Sequence, residues 1–323
     1  MTSRREFLAV AGGAAAAVTL GRNAPAQTQP TREKPAPSGP RIRKALKYGM
    51  IDAGDTVRAK FEIAMEAGFE GVELDSPSDL DKNEVLRAKE ATGIEIPGVV
   101  DSVHWQKTLG DADPAVRAEG RHALEKALFD CRDYGGTSVL LVPAVVNESI
   151  SYAQAWANSQ EQLQRSLAVA REAGVSIALE NVWNNFLLGP VEAREYVDSL
   201  AGMNGQPIRY PVNDRDYVRF MPIGWHLDIG NLWFYAWPEH WIELLGPRIL
   251  KLDVKGYSRA KADKEGKWAG FGVEIGDGDI PWERVNKALD KIGYRGWAAA
   301  EVKGGDLARL KDVSARMDRV FNL

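Results

Sequence analysis

The chain has 323 residues, of which 45% are hydrophobic, enough to build one large domain around a substantial core. Its 41 basic and 45 acidic residues give a formal net charge of -4 without basic runs, which argues against a nucleic-acid partner, since phosphates bind clustered lysine and arginine. The single cysteine, Cys131, excludes an intramolecular disulfide and a thiolate metal site.

The N-terminus matches a twin-arginine export signal. Residues 3–8 read SRREFL, an Ala/Gly-rich stretch follows at 9–20, and residues 24–26 (APA) offer a cleavage site. The apolar stretch is too short and too rich in glycine to span a membrane, so no membrane association is expected once the signal is removed. We predict a signal peptide at 1–26, a disordered leader rich in Pro, Thr and Ser at 27–44, and a periplasmic or secreted mature protein.

From residue 45 onward, strand-like apolar runs alternate with amphipathic helical stretches. The predicted strands are 46–50, 71–74, 94–100, 138–142, 175–180, 223–228, 249–254 and 297–301. The predicted helices are 56–67, 115–134, 152–173, 191–200, 238–245, 282–292 and 307–319, several of them closed by a glycine. Eight β-then-α units predict a single (β/α)8 TIM barrel over 45–323.

An open doubly wound sheet is the competing fold. No Gly-x-Gly-x-x-Gly turn follows an early strand, so a dinucleotide-binding fold is weakly supported. Two connections exceed a minimal loop, 203–221 and 257–281, and the second lies on the side of the barrel where long loops shape a substrate site.

Four of the later strands end in a carboxylate: Glu180, Asp228, Asp253 and Glu301. The last side chain of a parallel barrel strand points into the mouth where the loops gather. Four acids converging there repel one another unless a divalent cation or shared protons neutralise them. The sequence therefore predicts a hard-metal site.

The chain also resembles a known family on the strength of four motifs. Residues 68–74 read GFEGVEL, 178–181 ALEN, 226–231 HLDIGN and 276–280 GDGDI, in this order and with barrel spacing between them. The resemblance is to the xylose isomerase-like barrels of the sugar phosphate isomerase and epimerase group, which includes ketose 3-epimerases and hydroxypyruvate isomerase. It extends from residue 47 to the C-terminus.

The resemblance implies a metal site. Epimerase members hold a divalent ion with Glu, Asp, His and Glu after strands five to eight, which places Glu180, Asp228, Asp253 and Glu301 in these roles. Asp253 stands where the histidine is usual, because residues 251–256 read KLDVKG in place of H-x-H-x-K-D. An all-oxygen set favours Mg²⁺, Mn²⁺ or Ca²⁺ over Zn²⁺, and Mn²⁺ or Mg²⁺ is expected. The alternative is that Lys251 and Lys255 neutralise the acids without any ion.

The resemblance further implies that Glu180 and Glu301 lie on opposite faces of a bound sugar. One removes the proton beside a carbonyl, and the other returns it on the opposite face or at the neighbouring carbon. The side chains expected to contact the substrate are His104, Trp183, His226, Lys251, Lys255 and Arg259.

The leading hypothesis is a metal-dependent isomerase or epimerase of a small sugar or keto acid, acting through an enediolate. A lyase or hydratase of 3-keto-glycosides uses the same proton abstraction and is the first alternative. A carbohydrate-binding barrel without catalysis, suggested by the missing histidine, is the second. The expected partner is a small, neutral carbohydrate, and a homo-oligomer is possible.

Overall fold

Eight parallel strands form a closed barrel in the computed structural model, which describes residues 42–201, 208–211 and 217–323. The strands are β1 (Ile42–Lys47), β2 (Gly71–Ser76), β3 (Gly98–Asp101), β4 (Ser138–Leu141), β5 (Ser176–Glu180), β6 (Ile223–Asp228), β7 (Ile249–Val254) and β8 (Gly296–Ala300). They neighbour one another in chain order, and Leu46 closes the barrel by pairing with Val72 on one side and Ala300 on the other. The predicted (β/α)8 TIM barrel is confirmed.

Helices follow the strands on the outside of the barrel. They are α1 (Val57–Glu66), α2 (Lys82–Thr92), α3 (Pro114–Tyr134), α4 (Tyr152–Ala173), α5 (Pro190–Ala201), α6 (Ile229–Tyr235), α7 (Pro238–Leu245), α8 (Arg259–Glu265), α9 (Trp282–Lys291) and α10 (Leu307–Phe321). Large side chains such as Phe61, Tyr196, Trp225 and Trp241 are fully buried in the hydrophobic core.

Local sequence explains why the long helices begin and end where they do. Ser151 and Gln154 form a capping box at the start of α4, in which each satisfies a backbone N–H of the other. Gly174 ends the same helix with a left-handed φ of 66°, a conformation that costs glycine nothing. These signals depend on neighbouring residues alone, and the observed bounds of α4 equal the predicted 152–173.

Two strands differ from the prediction by three or more residues at one end or both. β1 covers Ile42–Lys47 rather than 46–50, because Tyr48–Met50 form a 3₁₀ turn directly after it. β3 begins at Gly98 rather than at 94, since the residues before Pro97 contribute a single bridge between Glu95 and Gly71. The helices α2, α6 and α8 were not predicted, and Asp81, Asp228 and Ser258 cap their first turns.

The long connection before β6 contains a hairpin, Ile208–Pro211 paired antiparallel with Tyr217–Phe220. The predicted signal peptide at 1–26 and residues 27–41 of the predicted leader lie outside the described residues and remain predictions. The prediction that the leader extends to residue 44 is wrong, because residues 42–44 belong to β1 and pair with β8. Over the described ranges, no helix is both long enough and apolar enough to cross a membrane.

Successive residues of a strand point to opposite faces, and alternate residues place charged side chains inside the barrel. On β7, Lys251 and Asp253 reach ionisable groups on other strands across the interior, whereas Leu252 and Val254 join the hydrophobic core. The barrel therefore carries buried ionisable groups on its inner face, and the fold determines which of them meet.

Candidate active site

A cavity of about 460 Å³ opens at the carboxyl ends of the strands. We call it the acid cavity. Fourteen residues line it: Lys47, Asp75, Val100, Asp101, Ser102, His104, Trp105, Leu140, Glu180, Val182, Trp183, Asn231, Lys255 and Glu301. Its position is where the fold class places substrate.

The structure brings together the four acids singled out in the sequence. Glu180 ends β5, Asp228 ends β6, Asp253 lies near the end of β7 and Glu301 directly follows β8. One carboxylate oxygen of each lies within 4.8 Å of one of every other. Three of the four are buried, and Glu301 is the exposed member.

Three of these acids, Glu180, Asp228 and Glu301, share one cation, and with Lys255 we call them the open acid group. Lys255 Nζ lies 2.8 Å from Asp228 Oδ2 and 2.5 Å from Glu301 Oε2. Burial, together with Glu301 and Asp228, raises the pKa of Glu180 well above its usual value. Burial and Glu301 also raise the pKa of Asp228 to about 7, although Lys255 opposes them. Near neutral pH, the group therefore retains protons that isolated carboxylates would lose.

Two asparagines fix the geometry of this group. The backbone N–H of Asn231 donates to Asp228 Oδ1 at 2.7 Å, and its side-chain amide donates to Glu180 Oε1 at 3.1 Å. Asn181 accepts from the backbone N–H of Asp228 at 3.1 Å. The motifs ALEN and HLDIGN thus join two adjacent strands, which explains why an asparagine follows each acid.

Gly230 in the second motif leaves room for the shared cation. A Cβ at this position would lie 2.3 Å from Lys255 Cγ, closer than real Cβ contacts allow. The glycine therefore lets the lysine stem pass between β7 and α6 to reach the acids.

A second charge cluster lies beside the open acid group. We call it the paired charge group; its members are Lys47, Glu73, His226, Lys251 and Asp253. Lys47 Nζ bridges Glu73 Oε2 at 2.6 Å and Asp253 Oδ2 at 2.9 Å. Lys251 Nζ lies 2.6 Å from Glu73 Oε1, and His226 Nε2 lies 2.9 Å from Asp253 Oδ1.

The cations of the paired charge group outweigh the cost of burial. Burial disfavours ionised Glu73, but Lys251 and Lys47 lower its pKa to about 2. His226 and Lys47 likewise outweigh burial and hold the pKa of Asp253 well below its usual range. Both acids are therefore ionised at neutral pH.

The chemistry of the four acids fits a hard divalent cation. Carboxylate oxygens are the ligands that Mg²⁺ and Mn²⁺ prefer. Within the described part of the chain, Asp228 Oδ2 and both oxygens of Asp253 are buried without accepting a hydrogen bond. Lys255 Nζ lies 2.8 Å from this oxygen of Asp228, and Lys47 Nζ and His226 Nε2 each lie 2.9 Å from an oxygen of Asp253. One oxygen of each of the four acids lies within 4.8 Å of the others, so the carboxylate cluster could bind a metal ion.

Three of the residues expected to contact substrate line the acid cavity: His104, Trp183 and Lys255. Burial and Lys47 lower the pKa of His104 to about 4, so its imidazole is neutral. Its Nδ1 accepts from the backbone N–H of Val142 at 3.4 Å, which leaves Nε2 as the N–H donor of the ring.

The other three lie away from the walls of the cavity. His226 and Lys251 are 0% and 2% exposed, because strand alternation turns both into the paired charge group. Arg259 begins α8; its Nε donates to the carbonyl of Trp233 at 2.8 Å, and its guanidinium lies 3.7 Å from the centre of that indole ring. Arg259 therefore fixes the loop after β7 onto α6, and the structure does not bring it to the acids.

Sequence reasoning missed Lys47 and Asp101 as cavity residues, which line the acid cavity together with Asp75. Asp101 is 1% exposed, and burial raises its pKa to about 7 even though Val103 donates a backbone hydrogen bond to it. Each of the three ends or nearly ends a strand, the signal that singled out the other acids. β1 (IRKALK) and β2 (GVELDS) carry charged residues before their ends, which made that signal weaker.

Comparison with known proteins gives a consistent result. The family described as "Xylose isomerase-like TIM barrel" matches residues 61–319. L-ribulose-5-phosphate 3-epimerase of Escherichia coli is 26% identical over 300 residues, covering 85% of this chain and 96% of that protein.

Solved structures share the fold at lower identity. 3-Keto-D-glucoside 4-epimerase from E. coli matches with a TM-score of 0.68 and 13% identity, over 87% of this chain and 100% of that one. D-allulose 3-epimerase from Methylomonas sp., solved with D-allulose, matches with a TM-score of 0.65 and 16% identity, over 87% and 96%. The predicted family is confirmed, and these relatives are sugar epimerases, as expected for the predicted class of enzyme.

Proposed function

Because the chain belongs to the xylose isomerase-like TIM barrel family, we propose that it is a metal-dependent isomerase or epimerase of a small neutral sugar or keto acid. The observation that carries this proposal is the meeting of Glu180 and Glu301 in one cavity. They come from strands separated by two others, yet their carboxylate oxygens approach within 4.8 Å. A sugar carbon bound against both carboxylates has two proton-transfer groups within reach.

The two glutamates differ in ways that suit a proton exchange. Glu180 is buried and its raised pKa brings it towards the operating pH, where a general acid or base is most effective. Glu301 is 43% exposed in its side chain and is oriented by Lys255. One removes the proton beside the substrate carbonyl, and the other returns a proton to the opposite face or to the neighbouring carbon.

Glu180, Asp228 and Glu301, with Asp253 beside them, are the residues that would hold a divalent ion, with Mn²⁺ or Mg²⁺ preferred. When bound, such an ion supplies a Lewis acid that polarises the carbonyl oxygen. Asp253 already has Lys47 at one oxygen and His226 at the other, so we propose that it contributes least to metal affinity.

A neutral substrate fits the charges around the acid cavity. Lys47 and Lys255 are each in contact with two carboxylates, so neither ammonium is available to neutralise a phosphate. Asp75 adds an acid to the lining, and a phosphate beside it would be repelled or remain unpaired. His104 and a protonated Asp101 can instead hydrogen-bond sugar hydroxyls.

Proton NMR in D₂O tests the function directly. We expect the mature protein, reconstituted with Mn²⁺ or Mg²⁺ and given a panel of ketoses, to exchange the C3 or C1 proton of one of them with solvent. Release of an aglycone from 3-keto-glucosides would instead favour elimination. No exchange with any sugar and any ion would contradict the proposal.

The twin-arginine motif at 3–8 supports a proposal of export to the periplasm. Cell fractionation should find the wild type outside the cytoplasm, and R4K/R5K should be retained inside. Equal distribution of the two would contradict export by this route.

A further inference from the structure

A second cavity of about 590 Å³ adjoins the acid cavity, and Trp183, Lys255 and Glu301 line both. The remaining walls come from the loop after β7 (Gly256, Phe271, Gly272, Val273 and Glu274) and from the segment after β8 (Val302, Lys303 and Arg309). We call it the outer cavity. The reacting glutamate Glu301 thus lies at the junction of two spaces, each within the range of volumes that ligand sites have.

Aromatic packing gives the outer cavity a fixed wall. The Trp183 indole meets Phe271 edge-on with ring centroids 5.0 Å apart, and meets Trp268 edge-on at 4.8 Å. Phe271 is packed in turn against Tyr257 at 4.6 Å. Rings held by other rings in this way offer a rigid, largely apolar surface with no loss of side-chain freedom on binding.

The polar groups at the rim are mostly paired already. Arg309 Nη2 lies 2.7 Å from Glu274 Oε2, and its Nη1 lies 3.1 Å from Asp312 Oδ2. Lys255 is shared between Asp228 and Glu301. Of the described cations that line the outer cavity, Lys303 is the remaining one, and it is exposed. Paired ions of this kind can hydrogen-bond hydroxyls but do not supply the clustered positive charge that a phosphate needs.

We propose that the outer cavity binds a second, neutral sugar ring, so that the natural substrate is a glycoside of at least two rings. This inference rests on the proposed function, since it takes the acid cavity as the place of the reacting ring. An aromatic wall for the apolar face of a ring and a polar rim for its hydroxyls match the two-sided chemistry of a sugar. Glu301 at the junction places the reacting carbons at one end of the bound molecule.

Glucosyl-fructose disaccharides test this inference. Isomers linked through O1, O3, O4, O5 and O6 of fructose place the second ring in every available direction. Calorimetry on the wild-type protein with Mn²⁺ should show at least one isomer binding tenfold or more tightly than D-fructose. If no isomer binds more tightly than D-fructose, the second subsite does not exist.

Two variants with opposite steric effects test whether the gain in affinity over D-fructose comes from the outer cavity. V273W fills the outer cavity, and F271A removes part of its aromatic wall; both should bring the affinity of the preferred isomer down to that of D-fructose. V191W adds the same ring at an exposed position on α5 outside both cavities and should leave the ratio of affinities unchanged. A ratio that survives in folded V273W and F271A would overturn the proposal.

Proton exchange recorded on the same samples separates the two claims. Preferred binding of a two-ring ligand without proton exchange from any sugar would support the subsite while contradicting the proposed function. Exchange on D-fructose that gains nothing from a second ring would support the function while overturning the subsite.

Discussion

The open acid group and the paired charge group contain the same kinds of side chain but have opposite electrostatics. In the paired charge group, two lysines and His226 surround two carboxylates, and the pKa of Glu73 falls to about 2. In the open acid group, three carboxylates share Lys255, and the pKa of Asp228 rises to about 7. Burial acts against ionisation in both, so the number of cations in contact decides the outcome.

The difference suggests separate roles for the two groups. The paired charge group is neutralised within the protein and holds the barrel strands together across the interior. The open acid group has one cation for three acids and faces the cavity, as expected of acids that bind a further cation or exchange protons with a ligand. Substitutions that act on one group and spare the other test this division.

Loss of a proton-transfer group in the open acid group should give the largest effect. We expect E180Q and E301Q each to slow proton exchange by about 10³-fold, because general acid–base catalysis contributes on that order. The measurement is the NMR rate of exchange in D₂O. E283Q, at an exposed position in the first turn of α9, is the matched control and should keep the wild-type rate. Retained activity in either active-site variant would show that its acid is misassigned.

Removing one lysine from each group should separate their effects on stability. K251M leaves buried Glu73 with one cation fewer and should lower the free energy of unfolding by about 3 kcal/mol, since broken buried ion pairs are costly. K255M should cost only about 1 kcal/mol, because Asp228 and Glu180 can take up protons instead. Urea unfolding at pH 7 measures both. Equal losses would contradict the division into two groups.

The affinity for a metal ion compares Asp228, of the open acid group, with Asp253, of the paired charge group. D228N should weaken Mn²⁺ binding by about 100-fold, whereas D253N should weaken it by about tenfold, the effect of an outer-shell partner. His226 and Lys47 already hold the pKa of Asp253 well below its usual range, whereas the pKa of Asp228 is raised to about 7, so ionised Asp228 has more to gain from a further cation. Calorimetric titration measures both affinities, a readout independent of turnover. If D253N weakens binding as much as D228N does, Asp253 is a full ligand, as the family pattern implies.

Asp101 belongs to neither group and tests the effect of burial alone. Its pKa is raised to about 7, so between pH 5 and pH 7 the folded state holds a proton that the unfolded state has lost. Stability therefore falls as pH rises, and the wild type should lose about 2 kcal/mol more than D101N over this interval. The asparagine keeps an oxygen for the N–H of Val103. Parallel pH dependences of wild type and D101N would contradict the raised pKa.

The sequence by itself determined the barrel and the acids at its mouth. Capping residues and the spacing of apolar runs act over a few residues, so the bounds of α4, α7, β6 and β7 followed from local pattern. The position of Glu180, Asp228 and Glu301 at the ends of buried strands was equally local, because parallel strands of a barrel bring their ends together.

Only the tertiary structure decided which charges meet. Lys251 is separated from Glu73 by 178 positions, and Lys47 comes from the far end of the chain to reach Asp253. Coulombic interaction depends on distances of a few ångströms, which strand register and barrel closure determine and no local pattern encodes. For the same reason, the sequence could indicate Arg259 as a substrate contact, whereas the fold holds its guanidinium against Trp233, outside the walls of both cavities.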